Sequence, residues 1–180
     1  MQNPLPRVTV RALSQQDRLP LLAANRRSRE MHRRWVNPPI NDEQFDAYML
    51  KCSRDDCHGF VICDVQTQQI AAAANVSNVV LGAMHGAFLG YYGIANFAGR
   101  GYMTAGLIHV ISWAFGDLRL HRLEANVQPD NLASKKLLAR LGFRLEGFSP
   151  RYLKIAGRWR DHERYAILAE EWQQRPRHLR

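Results

Sequence analysis

Two glycines one residue apart, Gly99 and Gly101, separate a run of strand character from a run of helical spacing, and that junction limits what the chain can become. Residues 89–94, LGYYGI, are apolar and aromatic in the manner of a strand. Met103, Leu107, Val110, Ile111 and Ala114 then recur at helical spacing, which predicts one apolar face along a helix of about three turns. At the corner between them positive φ costs little, and no Cβ separates the main chain from a ligand. The unsatisfied N–H groups and partial positive charge of the helix's first turn face that ligand, so the corner reads as an anion site. Two phosphate loops do not fit it. A P-loop needs a lysine after its second glycine, where Tyr102-Met103-Thr104 follow Gly101. A dinucleotide fingerprint needs a third glycine where Thr104 stands.

A second stretch begins at His121. It reads as a strand over residues 123–127, a turn at Pro129-Asp130-Asn131, a helix, and Gly142-Phe143. Asn131 is a favoured helix cap, and Gly142 can end the helix in the left-handed conformation. Upstream, residues 8–13 alternate as a strand. Residues 19–34 suggest one helix, stopped before the bend at Pro38-Pro39. Asn41, with Asp42 and Glu43 behind it, starts another helix. Residues 60–65 and 70–80 read as a hairpin, residues 81–87 as irregular, and residues 148–172 as two strands about Ala156-Gly157, with Arg160-Asp161-His162 a local ion pair.

At 180 residues and 46% hydrophobic, the chain is expected to form one domain over 1–180, with a core at about 8–172 and a basic tail over 173–180. It contains no run of about eighteen apolar residues, and its start lacks a secretion signal's apolar stretch, so a cytoplasmic protein without a membrane partner is expected. Cys52, Cys57, His58 and Cys63 match no common zinc spacing, and no metal is expected. The formal net charge of +9 is concentrated in Arg26, Arg27, Arg29, Arg33 and Arg34 and in the tail at Arg175, Arg177 and Arg180. Such a balance favours acidic partners, including a ribosome or rRNA surface. No DNA-reading motif is present, so DNA is not an expected partner.

The corner Ala98-Gly99-Arg100-Gly101-Tyr102-Met103 resembles the pyrophosphate loop of the GNAT acetyltransferases, Arg/Gln-x-x-Gly-x-Gly/Ala, departing from it at Ala98 and Met103. Asn131-x-x-Ser134 followed by Leu141-Gly142-Phe143 resembles the second cofactor segment of that superfamily. Residues 71–94, the AGRGYMT turn, LLARLGFRLEG and YLKIAGRWRDHERYAIL together resemble the RimJ branch of the RimJ/RimL N-terminal acetyltransferases, over about residues 8–172.

The resemblance implies an α/β (α+β) GNAT fold: a mixed, mostly antiparallel twisted sheet with flanking helices and a cofactor cleft between splayed middle strands. It implies acetyl-CoA as co-substrate, held by Ala98, Gly99, Arg100, Gly101, Tyr102, Met103 and Thr104 at the pyrophosphate and by Asn131 and Ser134 at the pantetheine arm and thiol. Backbone N–H groups at the bulged end of the central strand, around Tyr92 and Gly93, would polarise the thioester. Ser134, or a tyrosine near the thiol, would return a proton to sulfur. Lys135, Lys136 or Arg140 would meet the 3′-phosphate, and Trp35 and Pro38-Pro39 would wall the acceptor site. Glu124, through a water, is the candidate base. The resemblance further implies that the acceptor is the N-terminal α-amine, alanine as a rule, of a ribosomal protein. Two alternatives stay open: acetylation of a small amine such as a polyamine or antibiotic, for which Asp42, Glu43, Asp46, Asp55 and Asp56 would form an acidic pocket, and a non-catalytic ribosome-associated module.

Overall fold

The computed structural model describes residues 4–176; Arg177 and Arg180 of the expected basic tail lie outside them. Its elements in chain order are β1 (Val8–Ala12), α1 (Arg18–Arg27), α2 (Arg29–His32), α3 (Asp42–Cys52), β2 (Cys57–Asp64), β3 (Ile70–Val80), β4 (Gly86–Gly93), α4 (Tyr102–Gly116), β5 (Arg122–Val127), α5 (Leu132–Arg140), β6 (Arg144–Ile155), β7 (Arg158–Leu168) and α6 (Ala169–Gln173). The strands form one seven-stranded sheet in the order β1-β2-β3-β4-β5-β7-β6. All neighbours run antiparallel except β4 and β5. This is the mixed, mostly antiparallel sheet with flanking helices that the resemblance implies.

The core has two layers because alternate residues of each strand face opposite sides of the sheet. Phe60 and Ile62 of β2, Ala72, Ala74 and Val76 of β3, and Ala87 and Leu89 of β4 pack with Leu107, Val110 and Ile111 of α4 on one face. Those three helix residues are fully buried, each worth about 1.5–3 kcal/mol of apolar transfer. Gly106 lets α4 lie flat on the sheet, for a Cβ there would stand 2.3 Å from Ile62 Cδ1. On the other face, Val61 and Cys63 pack with Leu21 and Leu22 of α1 and Phe45 of α3.

Several boundaries differ from the sequence expectation. The single helix over 19–34 is broken at Ser28, whose Oγ donates to Ala24 O at 2.8 Å and accepts from Ala95 N at 2.9 Å. The hydroxyl thus competes with the helix backbone and ties the break to the segment after β4. β4 begins at Gly86, inside the stretch expected to be irregular, and α4 runs 15 residues rather than about three turns. β6 starts at Arg144, and residues 169–173 turn into α6, where Glu171 accepts from Leu168 N at 2.8 Å. Asp161 accepts from Arg151 N at 2.7 Å, and His162 contacts Arg160 through the latter's carbonyl at 3.0 Å, so the expected local ion pair is a pair of backbone contacts.

Candidate active site

β4 and β5 are paired over three residues, Gly86 with Arg122, Ala87 with Leu123 and Phe88 with Glu124. Both strands then continue, β4 to Gly93 and β5 to Val127, without pairing to each other. The sheet therefore splits in its middle, and main-chain groups on the inner edges of the split face a gap. Their identity follows from the antiparallel ladder. Ile94 N donates to the opposite carbonyl of Ala71 at 2.9 Å, and directly opposed residues alternate between bonded and non-bonded pairs. Tyr92 and Gly90 consequently bond β3, whereas the N–H groups of Tyr91 and Gly93 point into the gap.

Two corrections follow. The Tyr92 N–H is turned to β3, away from the gap. The β3–β4 register holds from Ser77/Phe88 to Ala72/Gly93, and its irregularity falls between Ser77 and Val80, so the bulge is not at Tyr92 and Gly93.

The glycine corner lies at the start of α4. Gly99 and Gly101 have φ of +73° and +86°, and Gly101 caps α4 with no side chain bonded to the cap. The helix thus presents free N–H groups and the positive end of its dipole to an exposed loop. The side chains of the motif divide. Ala98, Gly99 and Arg100 are exposed, and the Arg100 guanidinium lies 5.7 Å from the Phe97 ring centroid and 5.5 Å from that of Tyr102. Tyr102 is buried and donates to Asp64 Oδ2 at 2.6 Å, so its side chain anchors α4 to β2 and is unavailable to a ligand. Met103 packs against the core below Gly93. Thr104 is buried, and its hydroxyl accepts from Arg140 at 3.3 Å, which fixes a cation beside the first turn of α4.

On the far side of the gap, Asn131 Oδ1 accepts from Ser134 N at 3.1 Å as the cap of α5, and Gly142 ends that helix's connection with φ +89°. Ser134 Oγ lies 2.5 Å from the Tyr91 hydroxyl, a hydrogen bond across the split. Burial pushes the Tyr91 pKa well up, so the phenol stays protonated. Of the cations expected at the 3′-phosphate, Lys135 is engaged with Glu163 at 2.9 Å, Lys136 is exposed, and Arg140 reaches the α4 terminus. Glu124 stands at the last paired rung, its carboxylate 2.7 Å from Arg122 Nε.

A cleft of about 820 Å³ opens on the α1–α3 side of β4, lined by Asn25, Arg29, His32, Arg33, Tyr48 and Tyr92 among others, with Pro38 and Pro39 in its wall. Trp35 and Glu124 are not among its lining residues; Trp35 instead carries Arg34 at 5.0 Å from its ring centroid. His32 is 4% exposed, and its Nε2 lies 2.7 Å from Gly93 O, where it donates. Burial lowers the His32 pKa, so the ring is neutral and its Nδ1 is a bare acceptor with no protein partner. Asn25 donates to Pro39 O at 2.9 Å and to the Tyr92 hydroxyl at 3.4 Å, leaving its Oδ1 unpartnered. Burial pushes the Tyr92 pKa up to about 12. The Cβ that Gly90 lacks would stand 2.7 Å from Asn75 Oδ1, so the glycine makes room for Asn75 over the strand.

The acidic pocket expected for a cationic acceptor is not built. Asp42 and Asp46 pair with Arg18 and Asp56 pairs with Arg54, while Arg29, Arg33 and Lys51 line the cleft. Sequence reasoning missed His32, Asn25 and Tyr91. The clue to His32 was a histidine one helical turn after Ser28, and it is weak without the contact to Gly93.

The acetyltransferase (GNAT) domain family matches residues 7–144. Probable N-acetyltransferase YjcK of Bacillus subtilis is 34% identical over 126 residues, 70% of each chain. The [ribosomal protein uS5]-alanine N-acetyltransferase of Escherichia coli is 40% identical over 113 residues, 63% of this chain and 58% of that enzyme. The structure of Mycobacterium smegmatis RimJ in complex with CoA-disulfide superposes with a TM-score of 0.84 at 28% identity, covering 95% of this chain and 86% of the other. Spermidine N-acetyltransferase of Vibrio cholerae, in complex with CoA and spermine, shares the fold at a TM-score of 0.79 and 20% identity, over 93% of this chain and 98% of that one.

Proposed function

The chain belongs to the GNAT acetyltransferase family, and from that premise we propose that it transfers the acetyl group of acetyl-CoA to the N-terminal α-amine, alanine-type, of a ribosomal protein. The observation that carries the choice of acceptor is the acceptor cleft, which has three cations and, among the described residues, no carboxylate in its lining. That rim disfavours a polyamine and accommodates a peptide. The 40% identity to an enzyme that acts on a ribosomal protein's alanine supports the same reading.

The residues present fit acetyl-CoA. Gly99, Arg100, Gly101 and the first turn of α4, with Arg140 beside Thr104, form a cradle for its phosphates, and the gap between β4 and β5 offers main-chain partners to an extended arm. Asn131 and Ser134 border that gap at the start of α5. When bound, acetyl-CoA supplies an activated acyl carbonyl.

In this reading the N–H groups of Tyr91 and Gly93 are the donors fixed in advance for developing negative charge on oxygen. His32 holds the Gly93 carbonyl and so sets the angle of that peptide. The coupled Tyr91 and Ser134 hydroxyls hold the proton destined for the departing sulfur, and burial keeps the phenol in its protonated form until the thiolate leaves. An α-amine with an ordinary pKa of about 7.7–8.0 is partly neutral near pH 7, so a weak acceptor suffices. His32 Nδ1 and, through water, Glu124 are the candidates for its proton. The Arg122 pair that occupies Glu124 favours His32.

Mass spectrometry tests the proposal. With acetyl-CoA, alanine-initiated peptides are expected to gain one acetyl group on the α-amine, with spermidine in the same tube left unmodified. Acetylated spermidine with untouched peptides would overturn it.

A further inference from the structure

We propose that the acceptor cleft selects an amine terminus followed within a few residues by carboxylate side chains; this rests on the N-terminal acetylation reading above. The bottom and the rim of the cleft have opposite chemistry. At the bottom, Asn25 and His32 are 0% and 4% exposed, and each keeps an acceptor atom, Oδ1 and Nδ1, with no protein partner. Buried acceptors without partners call for N–H donors, which an amine supplies. At the rim, Arg29, Arg33 and Lys51 are exposed and line the opening. Arg33 lies 3.3 Å from Glu30, which offsets much of its charge, so Arg29 and Lys51 carry the net positive field of the opening. Of the α3-side carboxylates, Asp42 and Asp46 are paired with Arg18 and Asp56 with Arg54, and none of them lines the cleft.

An extended chain advances roughly 3.3–3.6 Å per residue, so a substrate whose amine enters the cleft leads its next few residues out past the rim. Carboxylates there meet Arg29 and Lys51, with Arg33 beside its partner Glu30. Lysines and arginines meet charges of their own sign, as would the second amine of a polyamine. Nucleic acid is the other anion such a rim attracts, but it brings no aliphatic amine to the buried acceptors, so the bottom of the cleft favours the peptide.

The test compares two alanine-initiated peptides that differ only at positions two to four, Asp/Glu in one and Lys/Arg in the other, on the wild-type protein and on Arg29→Glu/Lys51→Glu. The wild type is expected to favour the acidic peptide by about tenfold in kcat/KM at low salt. The preference should shrink at about 0.5 M salt. The double variant is expected to lose rate on the acidic peptide and gain it on the basic one, and that gain also certifies that the variant is folded. Equal kcat/KM for the two peptides, both acetylated at the α-amine, refutes the selection and leaves the N-terminal reading standing. Acetylation of spermidine with neither peptide modified removes that reading and this inference with it. If the charge reversal abolishes binding of a structured RNA while the peptide ratio stays unchanged, the rim belongs to nucleic acid and the inference is overturned.

Discussion

Tyr91 and Tyr92 are adjacent, alike in chemistry and opposite in consequence. Tyr91 reaches across the split to Ser134, while Tyr92 turns to Asn25 on the other face. Replacing Tyr91 with phenylalanine keeps the ring and removes the hydroxyl that shares a proton with Ser134. The expected outcome is a fall in kcat of about 10²-fold with acetyl-CoA affinity little changed, and a stability loss of about 1 kcal/mol, read by steady-state kinetics beside a denaturation curve. An unchanged kcat would make the pair a latch between β4 and α5 and nothing more. The family resemblance pointed to the Tyr92 and Gly93 amides, at the end of the strand. It could not show that the Tyr92 amide faces β3, since the parity of the ladder is set by Ala71 and Ala73, which lie some twenty residues away in the chain.

At the level of elements, the legible parts were those whose physics is local. Gly99 and Gly101 adopt positive φ, Asn131 caps α5 and Gly142 closes it, each as its neighbours in sequence dictate. The cleft between α1, α3 and β4 was not legible in the same way. Its contacts, His32 to Gly93 and Asn25 to Tyr92, join residues more than sixty apart, and the break of the first helix at Ser28 depends on a bond to Ala95. The glycine corner also shows how to test its role. A Cβ at Gly101 would stand 3.1 Å from Pro6 Cδ and 3.3 Å from Leu5 Cδ2, so a substitution there disturbs packing as well as any ligand. At Gly99 nothing lies within 4 Å. Gly99→Asp is therefore expected to weaken acetyl-CoA binding by tenfold or more by calorimetry, while Gly99→Asn, carrying the same left-handed strain without the charge, weakens it far less. Equal losses in the two variants would locate the effect in the backbone and not in anion recognition.

For the molecule as a whole, pH acts through two buried histidines, His32 and His162, whose pKa values are both lowered by burial. A group held below its unfolded value gives its full stabilisation above that value, about 6.5 for histidine, and loses it as the pH falls toward the folded value. The melting temperature is thus expected to decline as the pH is lowered from about 7 toward 5, with a shallower slope in His32→Asn; a flat profile over that range would show that neither ring resists its proton. The same scale exposes the weakness of the sheet. Its first four strands and its last three share three rungs between β4 and β5. In mechanical terms the sheet is two plates joined by a short weld and backed by one shared core layer. An extended ligand that bonded both free edges would complete the ladder where the chain leaves it unfinished, so the molecule would be stiffest along its middle while it holds the reactant.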